Sequence, residues 1–312
     1  MPDVAPAVDT ALKSVLIATD FSKASDKPLR HALAIARHYR ANFYLAHIVS
    51  SLGYTIAGPE AYRLAGEAAA RDAMQLEREL VESGSLAGMP HEFIIRQGAN
   101  IWEELKLVIQ QKEADLIAIG THGRRSFGKL LLGSVAEQIF RRAHCPVLTV
   151  GPGSYQHSPL ENIRPFRPFL FATDFGEASL HALPRAISFA NHFGTKLVFL
   201  HVAPIAPIPE GFHWSKTTTD VRQMQEEVRR GVLRKLEEIA SRNGALNAEP
   251  EFRVEFGASS KMILHAAGAL GADLIVMGLN RSRLIDTASH MPWATAYEVV
   301  RGAVCPVLTV RS

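Results

Sequence analysis

The chain contains the same sequence pattern twice, and this duplication constrains the fold more than any other feature. The segment ATDF at 18–21 returns at 172–175, and the segment CPVLTV at 145–150 returns unchanged at 305–310. Matching segments that occur in the same order in both halves indicate two homologous domains. We predict that these domains span residues 1–152 and 165–312, joined by a linker that contains proline and glycine.

Each half alternates short apolar segments with amphipathic ones, which predicts alternating strands and helices. In the first half we expect strands near 15–19, 43–49 and 92–96 and helices near 27–39, 59–83 and 100–112. This alternation predicts an α/β fold in which helices cover both faces of a parallel sheet. Right-handed crossovers make such a sheet doubly wound and Rossmann-like, and its ligands bind outside the carboxyl ends of the strands.

The stretch 115–150 reads as a strand, a glycine-rich loop, a helix start at Ser134 and a second strand. Its loop combines glycines with cationic side chains: Gly120, Gly123, Gly128 and Gly133 with Arg124, Arg125 and Lys129. Glycines let main-chain N–H groups approach an anion, and a helix start adds partial positive charge. The pattern is not a Walker A loop, because Leu130 stands where Ser or Thr would hold Mg²⁺. The alternative is a surface loop with solvated cations.

Composition excludes several classes of partner. The net charge is only +3 and no run of five like charges occurs, which argues against nucleic acid as the main partner. No apolar stretch approaches the roughly 18 residues of a membrane span, and the first residues lack the apolar region of a signal peptide. The two cysteines each precede a proline in strand-like sequence, so we expect buried thiols in a reducing compartment, the cytoplasm.

These residues resemble the universal stress protein family. Its nucleotide-binding branch carries G-x2-G-x9-G-[ST], which Gly120, Gly123, Gly133 and Ser134 match at every fixed position. The ATDFS segment and the L-x-H-[VI] pattern at 45–48 also resemble the family, and the likeness covers both halves. It implies two tandem Rossmann-like domains of the adenine nucleotide alpha hydrolase type, in a cytoplasmic stress-response regulatory or protective protein.

The resemblance also implies a ligand, which is ATP or the related AMP or ADP. Asp20 should contact the adenosine part, Ile48 should offer main-chain groups to the adenine edge, and Gly120 should lie against the ribose. The phosphates should be surrounded by Gly123, Gly133, Ser134 and Val135. Family members dimerise through their last strands, so the two CPVLTV segments are expected to pair within this chain as a pseudo-dimer. A homo-oligomer of the whole chain is left open.

Several of these residues have simpler roles open to them. Asp20 is a candidate turn or N-cap residue before the next helix, and a candidate to position Mg²⁺, although a lone carboxylate does not define a metal site. His47 and His201 lie in apolar strands, so we expect them to be packed and hydrogen-bonded rather than catalytic or metal-binding. The cationic side chains of the glycine loop either reach phosphate or point to water.

The second half departs from the nucleotide motif. Arg281 stands at the second motif glycine, and Trp293 and Ala294 replace the third glycine and the serine, while Pro292 removes an N–H donor. We therefore predict that the second domain does not bind ATP in the family manner.

No motif with diagnostic catalytic spacing occurs, so we assign no catalytic residue. The alternatives to a regulatory nucleotide-binding protein are a slow ATP hydrolase and an interaction protein with a vestigial loop.

Overall fold

The computed structural model describes residues 11–54, 57–121, 132–154, 167–204, 218–280 and 294–312. The chain divides into two compact units. The first unit consists of Asp9–Pro165 together with Val300–Arg311, and the second is formed by Phe166–Val299. The end of the second repeat therefore belongs to the compact unit that the first repeat builds.

Within each repeat, the described residues form alternating strands and helices, as the periodicity predicts. The strands are β1 (Ser14–Ala18), β2 (Asn42–Ser50), β3 (His91–Gly98), β4 (Leu116–Gly120), β5 (Val147–Val150), β6 (Phe169–Ala172), β7 (Leu197–Ala203), β8 (Glu251–Phe256), β9 (Leu274–Leu279) and β10 (Val307–Arg311). The helices are α1 (Asp26–Tyr39), α2 (Gly58–Glu82), α3 (Ile101–Gln111), α4 (Ser134–Arg142), α5 (Glu177–His192), α6 (Thr218–Arg242), α7 (Ser259–Leu270) and α8 (Ala294–Gly302). No helix among the described residues is both long and apolar enough to cross a membrane.

The sheet of the first unit has the strand order β3-β2-β1-β4-β5-β10. Strands β1 to β5 pair in parallel, so their connecting helices return the chain across the sheet faces. Fully buried side chains such as Leu16, Ile17, Phe43 and Leu116 fill the core. From β1 the chain adds β2 and then β3 on one side. Strand β4 then pairs with the other side of β1 and is followed by β5. This reversal is the point where α/β sheets of this kind open a crevice.

The two copies of the CPVLTV segment pair with each other, as the resemblance to the family implies. Strands β5 and β10 run antiparallel with Leu148 opposite Leu308, and the Thr309 hydroxyl donates to the Val147 carbonyl oxygen (3.3 Å). All four residues of β5 are buried. The pairing covers the β5 edge, whose main-chain N–H and C=O groups would otherwise lack partners from a neighbouring strand.

The second unit repeats the inner strand order as β9-β6-β7-β8, again with parallel pairs. Its core is rich in aromatic side chains, and Phe169, Phe171, Phe189 and Phe199 are each at most 1% exposed. Together the two units bear out the α/β, doubly wound architecture in tandem. The predicted helix at 27–39 and strand at 43–49 differ from the observed bounds by a single residue at their ends.

A residue with a left-handed backbone follows the first helix of each repeat. In the first repeat this residue is Arg40 (φ 53°), and in the second repeat it is Gly194 (φ 60°). The next N–H group then reaches back into the helix: that of Ala41 donates to the Ala36 carbonyl oxygen at 2.8 Å, and the equivalent bond in the second repeat is 2.9 Å. A residue with a Cβ is strained in this conformation, whereas glycine adopts it freely.

Candidate functional site

The site predicted from the sequence lies at one edge of the first unit's sheet. Strands β2, β1 and β4 are neighbours and run parallel, so their carboxyl ends meet at the same edge. Asp20 follows the end of β1, Ile48 lies in the last part of β2, and Gly120 is the last residue of β4. The topology thus brings these three together, next to the reversal in strand order. Gly123 and the cationic residues Arg124, Arg125 and Lys129 lie outside the described residues.

Asp20 organises the turn between β1 and α1. Its Oδ1 atom accepts hydrogen bonds from the Ser22 N–H (3.0 Å) and from the Ser25 hydroxyl (2.9 Å). This is the local turn role that the sequence left open for Asp20. Contact between Asp20 and a ligand stays a prediction.

The second repeat builds the same turn around Asp174. Its Oδ1 atom accepts from the Gly176 N–H (2.8 Å) and from the Ser179 hydroxyl (2.7 Å). Because the second repeat lacks the nucleotide motif, the shared turn reflects what the fold needs at this corner. Asp20 and Asp174 therefore form the same turn, and only Asp20 lies in a repeat that carries the nucleotide motif.

A strained phenylalanine follows the aspartate in each repeat. Phe21 has φ 55° and Phe175 has φ 62°, both in the left-handed region that non-glycine residues rarely adopt. In the first repeat the Phe21 ring lies 4.9 Å from the His47 ring, and in the second the corresponding distance between Phe175 and His201 is 4.6 Å. The strain is held in place twice by the same packing, so it belongs to the repeated unit.

His47 and His201 are packed and hydrogen-bonded, which confirms the prediction made for them. His47 Nδ1 lies 2.7 Å from the Thr19 carbonyl oxygen, and His201 Nδ1 lies 2.8 Å from that of Thr173. Because a carbonyl oxygen only accepts, each Nδ1 carries the hydrogen and donates it. These histidines tie the end of β2 to the end of β1, and the end of β7 to the end of β6.

The main chain of Ile48 faces the space beyond the end of β1. The Thr19 N–H donates to the Ala46 carbonyl oxygen (3.0 Å), so the main chain of Ala46 is directed toward β1. In a strand, main-chain direction repeats every second residue, and Ile48 therefore directs its N–H and C=O the same way. Strand β1 ends at Ala18, opposite Ala46, whereas β2 continues to Ser50. The side chain of Ile48 is buried, which leaves its main chain as the part that a ligand could meet.

A hydrogen bond joins the end of β4 to the beginning of α4. The Gly133 N–H donates to the Thr121 carbonyl oxygen (2.8 Å), and the Thr121 N–H donates in turn to the Val150 carbonyl oxygen (3.1 Å). Gly133 is the N-cap residue, and the helix starts at Ser134, which is exposed. The first N–H groups of a helix, here those of Ser134 and Val135, have no acceptor within the helix and can donate to an anion.

Gly278 in β9 is required by packing within the second repeat. A Cβ placed on Gly278, the counterpart of Gly120, would overlap main-chain atoms of Ala178 and Ser179 at the start of α5. Helix α8 starts at Ala294, which matches the start of α4 at Ser134 and supports the alignment of the two repeats. Arg281, Pro292 and Trp293 lie outside the described residues. Gly278 is thus explained by close packing of α5 on β9.

The sequence reasoning missed an aspartate that stabilises the opposite edge of each sheet. Asp115 Oδ2 accepts from the main-chain N–H groups of Lys13 (2.7 Å) and Ser14 (3.0 Å), which fastens the start of β1. Asp273 Oδ2 accepts from the Arg167 N–H (2.9 Å) in the second repeat. The signal was present as the segment ADLI, which occurs at 114–117 and at 272–275.

These features define a class of protein, a tandem repeat of a Rossmann-like α/β domain with its crevice at the carboxyl ends of the strands. The chain belongs to the universal stress protein family. The model of this family, described as "Universal stress protein family", matches residues 11–151 and again residues 165–311. Each match corresponds to one copy of the internal repeat.

Individual relatives agree with the family model. A universal stress protein of Mycolicibacterium smegmatis is 24% identical over 285 residues, which cover 88% of this chain and 94% of that protein. Universal stress protein MJ0531 of Methanocaldococcus jannaschii is 29% identical over 139 residues, covering 44% of this chain and 81% of that protein. The crystal structure of a universal stress protein from Archaeoglobus fulgidus has a TM-score of 0.66 at 23% identity and covers 96% of both chains, so the two share the fold.

Proposed function

We propose that the first repeat binds ATP, or the related AMP or ADP, at the carboxyl ends of β1, β2 and β4. The chain then acts as a stress-response regulatory or protective protein whose nucleotide-bound state alters its surface or stability. The observation that carries the proposal is the hydrogen bond between Gly133 and Thr121. It anchors a glycine-capped helix start beside the strand end that precedes the glycine loop.

The described residues supply a complementary surface for each part of an adenine nucleotide. The main chain of Ile48 offers a donor and an acceptor to the edge of a base. The Asp20 carboxylate is the group that the family motif assigns to the adenosine part. The N–H groups at the start of α4, with the Ser134 hydroxyl, suit phosphate oxygens because oxyanions accept hydrogen bonds from a helix N-terminus. Gly123 completes the motif in the sequence.

We propose further that the second repeat, 165–312, is not a nucleotide site of this type. It retains the turn at Asp174 but has Ala294 where the first repeat has Ser134, so the hydroxyl donor is missing at its helix start. The same division into domains, 1–152 and 165–312, therefore corresponds to a division of roles. Binding at one repeat predicts one nucleotide per chain.

The decisive experiment is calorimetric titration of the full-length chain with ATP, AMP and ADP, with and without Mg²⁺. We expect a stoichiometry of one. Asp20→Asn retains an oxygen acceptor for the turn but removes the charge, and we expect it to weaken binding by about ten- to hundredfold, the usual loss for a hydrogen bond to a charged group. Asp174→Asn makes the same change in the same turn of the other repeat and should leave the affinity unchanged.

The outcomes separate the alternatives. Absence of binding by the wild-type chain, and of any adenine nucleotide in mass spectra of small molecules released from freshly purified protein, would leave a protein–protein interaction role. A stoichiometry of two, or equal losses for Asp20→Asn and Asp174→Asn, would contradict the assignment to the first repeat. Steady release of phosphate from ATP that disappears in Ser134→Ala would instead identify a slow hydrolase.

We propose a cytoplasmic location. Neither Cys145 nor Cys305 forms a disulfide bond. Burial raises the pKa of Cys145 to about 12, so this thiol remains protonated and behaves as a small apolar side chain. Fluorescence microscopy of the tagged full-length chain checks the location, and accumulation outside the cytoplasm would contradict it.

A further inference from the structure

Arg311, the last residue of β10, reaches the carboxyl end of α4. Its Nη2–H donates to the Phe140 carbonyl oxygen (2.8 Å), and its Nε–H donates to the Ala143 carbonyl oxygen (3.1 Å). The last carbonyl groups of a helix have no donor within the helix and carry partial negative charge. The half-buried Arg311 guanidinium donates hydrogen bonds to two of these carbonyl groups and places a positive charge beside them.

The first repeat has no such side chain at the equivalent position. The residue that follows the identical strand is Gly151 rather than arginine. A Cβ on Gly151 would lie 3.6 Å from the carbonyl oxygen of Ala303, which is the counterpart of Ala143. Gly151 and Arg311 therefore each lie beside the carbonyl group that follows the last helix of the other repeat. Only Arg311 has side-chain N–H groups that can cap this carbonyl group. The capped helix is α4, the helix of the repeat that retains the complete nucleotide motif.

Helix α4 is short enough for its two ends to be coupled mechanically. It has nine residues, so at about 1.5 Å per residue its whole length is only about 13 Å. Short helices fray easily because each turn contributes few hydrogen bonds. Loss of the cap at Phe140 and Ala143 should loosen the last turn and with it the orientation of the first turn, where Ser134 begins the helix.

We propose that Arg311 is a positioning residue for phosphate binding by α4. The strand that the second repeat contributes to the first unit thereby sets the affinity of the first repeat for phosphorylated ligands. The inference rests on the proposed function, because it assigns the start of α4 to phosphate. Arg311 itself lies at the opposite end of the helix and does not contact the ligand.

The test compares two ligands that differ only in phosphate, ATP and adenosine, by calorimetric titration of full-length proteins. Arg311→Met retains the length of the side chain but removes both donors, and we expect ATP affinity to fall by about fivefold or more. Adenosine affinity should stay within about twofold of wild type. Arg311→Lys retains a cation and should restore part of the ATP affinity. Arg142→Met, which removes an exposed arginine from the last turn of the same helix, is the control for charge alone and should resemble wild type.

Hydrogen exchange at the α4 amides without nucleotide gives an independent readout, and Arg311→Met should accelerate it. Wild-type binding of ATP with an unchanged affinity in Arg311→Met would overturn this inference alone. Equal losses for ATP and adenosine would also overturn it, because they indicate general damage to the fold. A wild-type chain that binds neither ligand would overturn the proposed function and this inference with it, whereas the exchange data would still report whether Arg311 holds α4.

Discussion

His31 makes the first unit sensitive to acid. It lies on α1 with only 2% of its surface exposed. Burial, assisted by the nearby Lys27 ammonium group, lowers the pKa of His31 from 6.5 to about 4. The imidazole is therefore neutral in the folded protein across a pH range in which the unfolded chain would protonate it.

The size of the effect follows from the two pKa values. Between pH 6.5 and about pH 4 the unfolded state binds more protons at His31 than the folded state does, so the free energy of unfolding falls as the pH falls. One pKa unit corresponds to about 1.4 kcal/mol, which gives about 3 kcal/mol across the whole window and about 2 kcal/mol between pH 7 and pH 5. For a unit of this size, Tm should decrease by about 4 to 8 °C over that interval.

The assay is thermal unfolding of the full-length chain at pH 7 and pH 5, and the quantity compared is the difference in Tm between the two. His31→Gln replaces the imidazole with a polar group that does not titrate, so this difference should shrink by most of the predicted amount. His38→Gln alters an exposed histidine on the same helix and should keep the wild-type difference. If His31→Gln and wild type lose the same number of degrees on acidification, the assignment to His31 is wrong.

Two further predictions compare positions within the same chain, and thermal or urea unfolding of the full-length protein checks both. Gly278→Ala should lower the free energy of unfolding by about 1 to 3 kcal/mol or more, because its Cβ would overlap the main chain of Ala178. The control is Gly268→Ala in α7, where the added Cβ meets open space, and this variant should be neutral or stabilising by up to about 1 kcal/mol. A stable Gly278→Ala would show that α5 packs less closely on β9 than described. Arg40→Gly should stabilise by about 0.5 to 1 kcal/mol because its φ is 53°, and Gly194→Arg should destabilise to a similar extent; effects of equal sign would contradict the argument from backbone strain.

The duplication made much of the fold predictable from sequence. The identical segments at 145–150 and 305–310 predicted corresponding last strands in the two repeats. The resemblance to the family implied that these strands pair, and β5 and β10 do so. The alternation of strand-like and helix-like segments predicted a parallel sheet because parallel strands need crossover connections, which helices supply. In a parallel sheet the carboxyl ends of all strands lie at the same edge. The strand order was therefore the only further information needed to predict that Asp20, Ile48 and Gly120 meet there.

Other features depend on contacts between residues distant in sequence and left no local signal. The left-handed backbone of Phe21 is held by packing on His47, and phenylalanine itself gives no hint of it. The cap on α4 arises only after β10 has paired with β5, so nothing near Arg311 in the sequence indicates its partners Phe140 and Ala143. The close packing at Gly278 also left no local signal, because a glycine needed for close packing and one needed for a ligand look the same in a sequence.

The placement of β10 in the first unit has a consequence for biosynthesis. When β5 leaves the ribosome, its partner strand has not been made, and about 150 further residues separate them. At roughly 5 to 20 residues per second, the nascent first half waits about 8 to 30 s with an open β-strand edge before its last strand arrives. During that interval we expect chaperones to bind the exposed strand edge. We also expect the β10 strand of a neighbouring copy to be able to pair with this edge in place of the β10 strand of the same chain.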